Sequence, residues 1–289
     1  MRYINKWYKL ARVLSLHFIW NKEALSNFKQ HRALVKTLKS VMPPGKPVFR
    51  TSVMYLFSYL SGAISTNHKR EILAHHYSFL KRAFCGSQLI QLYNGGAVFY
   101  KEQCGQNEYK VTLAASGMLE FEGSLSLVFE MNKQKVASLL FSFAPGDVFD
   151  LEDENIVFIS CLQRVGNQAE NAYAATKYFS DNNMATILLK VLEAAAVDFG
   201  ITKAIGVGCD NQLTAKLTCE HERYYSIYDQ FWLNSSGVKR DSDYLIQLPM
   251  SQKPILLIKQ THRNRTIKKR QRLRHIFEAV QHNLQKELK

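Results

Sequence analysis

Residues 163–168, Gln-Arg-Val-Gly-Asn-Gln, carry the most definite chemical pattern in this sequence. They follow an apolar run of strand type and precede a stretch of helical type. Amide groups at the start of a helix are unpaired and lie at its positive end, so a loop of this kind is suited to binding phosphate groups. Gln163, Arg164, Gly166 and Asn167 are therefore the candidate cofactor-binding residues. The alternative is a strand-to-helix turn in which Gly166 permits the bend.

Glutamate and tyrosine side chains near this loop in the predicted fold provide candidates for acid–base chemistry. Glu122 is the candidate general base, and Tyr228 is the candidate general acid, with Tyr224 and Tyr225 close to it in sequence. Glu120 and Glu122 alternate with apolar residues, so both are also expected on the solvent face of a half-buried strand. No Gly-x-Ser-x-Gly segment occurs, which argues against a serine hydrolase of the nucleophile-elbow type.

The five cysteines are odd in number and form no Cys-x-x-Cys pair. They are expected to be reduced and packed as small apolar side chains, and Cys161 and Cys209 are the best placed if one is a catalytic thiol. The histidines show no chelating pair with these cysteines, so no metal site is predicted.

The charge of +14 is concentrated at the two ends of the chain. Residues 1–82 have a net charge of +13 and residues 259–289 a net charge of +8, whereas the stretch between them has −7. Basic ends attract polyanions, so the predicted partner is an anionic membrane surface or a phosphorylated glycolipid. A merely solvating role and a protein partner are the alternatives. No motif for specific nucleic-acid binding accompanies the charge.

The first residues lack the pattern of a secretory signal, and the apolar stretch 12–20 is too short to span a bilayer. A cytoplasmic protein is therefore expected, with peripheral association at the inner membrane as an option.

The hydrophobic pattern changes from helical to strand periodicity and back along the chain. Apolar residues at helical spacing predict an amphipathic helix at 22–38, a buried apolar segment at 53–60, and a helix at 67–84 with Asn67 as its N-cap. The predicted strands are 109–113, 119–129, 136–143, 155–161 and 204–207, with 155–161 central. The later predicted helices are 168–179, 183–199, one capped by Asp210 or Asn211, and a basic helix at 260–287.

Short intervals between the first strands favour an antiparallel meander, and the helices and strand after it indicate an α+β fold with a mixed, mainly antiparallel sheet. The predicted organisation is a basic helical region at 1–82, a mixed body at 83–258 and a basic C-terminal helix at 259–289.

Several collinear segments resemble the VirK/YbjX family. They are His75-His76-Tyr77, the segment 121–127, Cys161 to Arg164 with Ala175-Thr176-Lys177, the segment 228–232, and His262-Arg263. The chain departs from the family pattern at 180–183, where a turn like Gly-x-x-Pro is expected, and at 208–211, where a histidine is expected. The resemblance implies a Gram-negative bacterial protein linked to virulence and envelope integrity, without a settled reaction.

The order of elements also resembles the acetyltransferase (GNAT) fold, in which a meander leads to a Gln/Arg-x-x-Gly-x-Gly/Ala loop that holds the pyrophosphate of coenzyme A. Gln163 and Gly166 match this loop, while Gln168 stands where glycine or alanine is expected, and two helices are predicted in place of one. Two hypotheses follow. The protein is an accessory factor in envelope or lipopolysaccharide maintenance that binds an anionic partner, or it is an acyltransferase that uses an acyl-coenzyme A or acyl-carrier donor.

Overall fold

One mixed sheet forms the centre of the computed structural model, which describes residues 28–116, 120–218 and 221–287. Within these residues the sheet has eight strands: β1 (Ala97–Cys104), β2 (Asn107–Ala115), β3 (Leu125–Met131), β4 (Gln134–Ala144), β5 (Ile156–Arg164), β6 (Lys203–Gly206), β7 (Val238–Arg240) and β8 (Asp243–Gln247). Their order across the sheet is β1-β2-β3-β4-β5-β6-β8-β7.

The strand pairing is antiparallel except between β5 and β6, which run parallel. The predicted α+β class with a mixed, mainly antiparallel sheet is confirmed. β5, predicted to be central from its continuous apolar run, lies between β4 and β6. Nearly every residue of β4 and β5 is buried, which means that both faces of the sheet are covered at its centre.

Ten α-helices precede, interrupt and follow the strands in the described part of the chain. They are α1 (Phe28–Val41), α2 (Val48–Ser52), α3 (Thr66–Ala83), α4 (Gly86–Asn94), α5 (Ala169–Tyr178), α6 (Met184–Asp198), α7 (Leu213–Thr218), α8 (His221–Ile227), α9 (Asp229–Asn234) and α10 (Gln260–Glu287). Helices α3 and α6 pack against β4, and α10 packs against α6 and β1.

Most predicted helices are present with small shifts of their ends. The C-terminal helix has the predicted bounds, and Ile276, Val280 and Leu284 of its predicted apolar seam are buried. Asn183 caps α6 by accepting a hydrogen bond from the Thr186 amide, and Gly200 follows α6 with a φ of +72°. Residues 22–27 of the first predicted helix, and Leu119 and Cys219, lie outside the described residues.

The pattern at 119–129 predicted one long strand, and this was wrong in its first half. Glu120–Glu122 form a single 3₁₀ turn, and β3 begins at Leu125. The reason is tertiary: the Leu60 amide donates to the Phe121 carbonyl over 2.8 Å, and Gly123 lies directly against the backbone of β4 at Phe141. These contacts replace the strand ladder and turn Glu122 inward.

Two predicted helix caps differ, while the predicted burial of the apolar segment 53–60 is confirmed for most of its residues. Ser65, not Asn67, accepts the His68 amide at the start of α3, so the helix begins one residue earlier. Gln212 accepts the Ala215 amide at the start of α7, whereas Asn211 donates to Asp243. The buried segment 53–60 contains only a 3₁₀ turn, Met54–Leu56. Helix α4 and strands β1, β7 and β8 were not predicted.

Candidate active site at the divergence of two central strands

Strands β5 and β6 pair along only part of β5 and then separate. Their parallel register ends where Ile159 faces Gly206, and the last link is a hydrogen bond of 2.9 Å from the Val207 amide to the Ile159 carbonyl. At this point β5 also has a bulge against β4. The neighbouring residues Leu140 and Phe141 of β4 pair with Cys161 and Ile159, so Ser160 of β5 has no paired residue on β4. Beyond the bulge, the edge of β5 that faced β6 has no strand partner within the described part of the chain.

Tyr228 occupies the gap that this divergence creates. Its hydroxyl accepts a hydrogen bond from the Leu162 amide at 3.2 Å, lies 3.4 Å from the Leu162 carbonyl oxygen, and is 3.7 Å from the Cys161 sulfur. The residue lies between α8 and α9, and its amide donates to the Tyr224 carbonyl over 2.8 Å. Burial, and then the neighbouring Cys161, raises the pKa of the Tyr228 hydroxyl well above its ordinary value. The hydroxyl is therefore protonated at neutral pH and can donate.

Glu122 lies in the same buried cluster, contrary to the expectation of a solvent-facing strand residue. Its side chain is 8% exposed, and its Oε1 accepts hydrogen bonds from the Gln212 amide group at 3.0 Å and the Thr214 hydroxyl at 2.7 Å. The 3₁₀ turn that replaces the predicted strand directs this carboxylate inward. Glu122 and Tyr228, the two residues proposed for acid–base chemistry, thus both interact with Cys161.

The two buried cysteines remain thiols at neutral pH. Burial, and next the nearby Glu122 carboxylate, raises the pKa of Cys161 far above its ordinary value. Burial and then Asp229 raise the pKa of Cys209 to about 12. A nucleophilic cysteine acts as its thiolate, and neither environment favours that form.

Residues 163–168 lead from β5 into α5: Gln163 and Arg164 are the last two residues of β5, and Val165 to Gln168 form the connection. Arg164, Gly166 and Asn167 are exposed, and Gln163 is half-buried. Gly166 has a φ of +64°, a left-handed conformation that favours glycine, and no atom lies within 4 Å of the position a Cβ would take. Gln168, the mismatch to the acetyltransferase loop, accepts from the Asn171 amide group at 2.6 Å, so its side chain follows the first turn of α5.

The segment 228–232 holds the end of β6 and the loop after it. Asp229 is buried, and it accepts hydrogen bonds from the Cys209 amide at 2.9 Å and the Tyr244 hydroxyl at 2.8 Å. Trp232 donates from its ring nitrogen to the Val207 carbonyl at 2.8 Å and lies directly over Gly206. Asp229 and Trp232 are therefore positioning residues that fix the strand end beside Tyr228.

The His75-His76 pair attaches α3 to the sheet. His75 Nε2 lies 3.0 Å from Asn155 Oδ1 at the start of β5, and His76 Nδ1 accepts from the Phe143 amide at 3.1 Å near the end of β4. His76 is buried and stacks on the Phe143 ring with centroids 5.7 Å apart. Both histidines thus serve contacts of the fold.

The C-terminal helix is joined to β1 and α5 by a cluster around Glu102. Arg272 lies 2.5 Å from Glu102, the Tyr178 hydroxyl donates to the same carboxylate at 2.6 Å, and Tyr100 also contacts it. The Arg272 guanidinium lies 4.7 Å from the centroid of the Phe179 ring. No sequence pattern indicated this cluster, because Glu102 and Arg272 are 170 residues apart in the chain.

No group of three or more metal-ligating side chains occurs within residues 28–116, 120–218 and 221–287. Among the helices in these ranges, none has the length and apolar character needed to cross a bilayer.

Comparison with known proteins finds one family. A search of the curated proteins and of the solved structures gives no match to this chain. The family described as a protein of unknown function, DUF535, matches residues 2–285, which is nearly the whole sequence. The chain therefore belongs to the DUF535 family, which is the VirK/YbjX family whose motifs it carries.

Proposed function

We propose that this protein transfers an acyl group from a thioester of the coenzyme A type to a nucleophilic acceptor at the divergence of β5 and β6. The observation that carries the proposal is the position of Tyr228 and Glu122 beside Cys161, at the point where the edge of β5 loses its strand partner. The strand order supports it, since an antiparallel meander leads through a glycine-containing loop and helices into one parallel strand, an order that resembles the acetyltransferase fold. The connection between β5 and β6 contains two helices, whereas the acetyltransferase fold has one at this place.

The exposed loop after β5 is the part of the chain that fits the phosphates of such a donor. The left-handed Gly166 and the open space beside it permit close approach of a phosphate group to the backbone. The first amides of α5 add unpaired donors at the positive end of a helix, because no side chain caps that end. Arg164 adds a positive charge, and Glu170 in the first turn of α5 opposes it.

The donor supplies an activated acyl carbon and a sulfur leaving group. Glu122 accepts the proton of the acceptor's hydroxyl or amine as that atom bonds to the acyl carbon. Tyr228 donates its proton to the sulfur as the carbon–sulfur bond breaks. Glu122 then releases the proton it accepted and Tyr228 regains one, so both groups return to their starting states. The raised pKa of Tyr228 keeps this proton in place at neutral pH. The buried setting strengthens both interactions, because the effective dielectric constant inside a protein is low.

Calorimetric titration with acetyl-, hexanoyl- and palmitoyl-coenzyme A tests the proposal. We expect Gly166→Val to abolish binding, because a β-branched side chain fills the open space and opposes the left-handed backbone. Gln163→Ala should weaken binding by about 1 kcal/mol, the value of one hydrogen bond.

Gly105→Val is the matched control. Gly105 has a φ of +56°, also has open space beside it, and lies in the β1–β2 turn, so the variant has similar backbone strain at a distant place. Absence of heat and of thermal stabilisation with every thioester contradicts the proposal, as does equal loss of binding in both glycine variants.

A second function, peripheral attachment to an anionic bilayer, is favoured by the segment before α10. Leu256 and Leu257 are 76% and 64% exposed. Arg263 donates hydrogen bonds to the carbonyl oxygens of Leu256 and Ile258 at 2.9 Å each. These bonds hold the backbone of the segment in place while the side chains of Leu256 and Leu257 remain exposed. Basic side chains surround the leucines in sequence. An exposed apolar pair with Lys253 and Lys259 on either side in sequence suits the interface of an anionic membrane.

Co-sedimentation with vesicles that contain phosphatidylglycerol tests this second function. The change Leu256→Ser with Leu257→Ser should reduce binding at every salt concentration. Lys259→Glu with Lys268→Glu should reduce it chiefly at low salt, because surface charge is screened within about 8 Å at physiological ionic strength. Charge reversal at the exposed Lys36 of α1 is the control. Equal binding of all variants, or binding to neutral vesicles alone, contradicts attachment through this surface.

A further inference from the structure

A cavity of about 280 Å³ lies between the N-terminal helices and the adjoining ends of β2 and β3, apart from the gap that Tyr228 fills. Its walls come from the segment 42–54, from Tyr77 and Tyr93 on α3 and α4, and from residues 115, 116 and 124 at the strand ends. The cavity has two basic side chains, several hydroxyl groups and an apolar side formed by methionines. Among the residues that the structure describes, no aspartate or glutamate lines it. A concave site with a few convergent polar groups is the usual form of a small-molecule site.

The two basic side chains are held in position by aromatic neighbours. Lys46 donates to the Tyr93 carbonyl at 3.1 Å, and its ammonium group lies 5.7 Å from the centroid of the Tyr93 ring. The Arg50 guanidinium lies 5.8 Å from the centroid of the Phe121 ring. Both side chains are half-buried. Two positive charges line this cavity, and positive charge in a concave site attracts anions.

Hydroxyl groups on the cavity wall provide neutral donors. The Tyr93 hydroxyl donates to the Tyr77 hydroxyl at 3.5 Å. The Ser116 hydroxyl is buried and has no hydrogen-bond partner among the described residues. A buried hydroxyl without a partner costs about 1–3 kcal/mol. A ligand oxygen in the cavity would supply the missing partner.

We infer that this cavity binds a small organic phosphate ester. Lys46 and Arg50 bind the phosphate, the Ser116 hydroxyl donates to one of its oxygens, and Met42 and Met54 contact the carbon skeleton. A phosphate group has enough oxygens to accept from two cations and a hydroxyl together. The inference does not depend on acyl transfer, because none of the residues proposed for that reaction lines the cavity.

Methyl NMR of methionine-labelled protein tests the site without any substitution. Met42 and Met54 line the cavity, while Met131 and Met184 are buried elsewhere. Titration with glycerol 3-phosphate at constant ionic strength should shift the Met42 and Met54 signals in a saturable way and leave Met131 and Met184 unchanged. Absence of a shift, or equal shifts of all four signals, overturns the inference. Acetate that binds as tightly as glycerol 3-phosphate overturns the assignment of phosphate.

Charge-removing variants identify the groups that bind. Lys46→Gln with Arg50→Gln should weaken glycerol 3-phosphate binding at least tenfold, and Ser116→Ala should weaken it roughly fivefold, as expected for one hydrogen bond. Lys36→Gln with Lys39→Gln removes the same charge from the exposed side of α1 and should have no effect. Equal affinity of the cavity variant and this control overturns the inference. Comparison with dihexanoyl phosphatidic acid distinguishes two sources of the phosphate ester. If this lipid binds more tightly than glycerol 3-phosphate, the natural ligand is a lipid headgroup. If it binds more weakly, the natural ligand is a free phosphate ester.

Discussion

His76 should make this protein less stable in mildly acidic solution. The imidazole is completely buried, its Nδ1 accepts the Phe143 amide, and its Nε2 has no partner among the described residues. Burial, and then the neighbouring His75, lowers the pKa of His76 from 6.5 to about 3. Above pH 6.5 the imidazole is neutral in both the folded and the unfolded chain, so it does not make the free energy of unfolding depend on pH. Below pH 6.5 the unfolded chain binds a proton that the folded chain cannot bind, so stability falls until about pH 3.

The size of the effect follows from the shift. One unit of pKa corresponds to about 1.36 kcal/mol, so lowering the pH from 7 to 5 should cost about 2 kcal/mol through this residue alone. The assay is urea unfolding at pH 7 and pH 5 of the wild type and of His76→Gln, whose amide oxygen can still accept the Phe143 amide. The wild type should lose about 2 kcal/mol more than the variant, since the carboxylates titrate alike in both.

An NMR titration gives an independent reading, because the ring protons of His76 should not titrate between pH 7 and pH 4. Equal pH dependence of wild type and variant, or a His76 that titrates near pH 6, refutes the reasoning.

Three further changes test other contacts. Arg272→Met should lower the free energy of unfolding by about 2 kcal/mol in urea, because Glu102 loses its cation in a setting where both side chains are less than a quarter exposed; an unchanged midpoint would show that the tyrosine hydroxyls suffice. Gly206→Ala should cost about 2 kcal/mol by thermal unfolding, since its Cβ would lie 2.5 Å from the Trp232 ring; a stable variant would mean that the ring moves freely. Glu170→Gln should strengthen coenzyme A binding roughly twofold, because a negative charge leaves the first turn of α5; weaker binding would place the phosphates elsewhere.

Local pattern determined much of the fold. The meander, the central position of β5 and the bounds of the C-terminal helix follow from hydrophobic periodicity and from glycine and cap residues, which act within a few positions of the chain. The family could also be identified from short motifs such as His75-His76-Tyr77. These features depend on neighbouring residues, so the sequence alone was sufficient to predict them.

The tertiary structure decided the site. Alternation at 119–129 predicted a strand and an exposed Glu122, but contacts from Leu60 and β4 form a turn that buries the carboxylate near Cys161. The gap that Tyr228 fills depends on a bulge at Ser160 and on where β6 ends. The Glu102–Arg272 pair and the cavity beside Lys46 join residues far apart in the chain. Local periodicity carries no information about such pairings, because they arise only when the helices pack on the completed sheet.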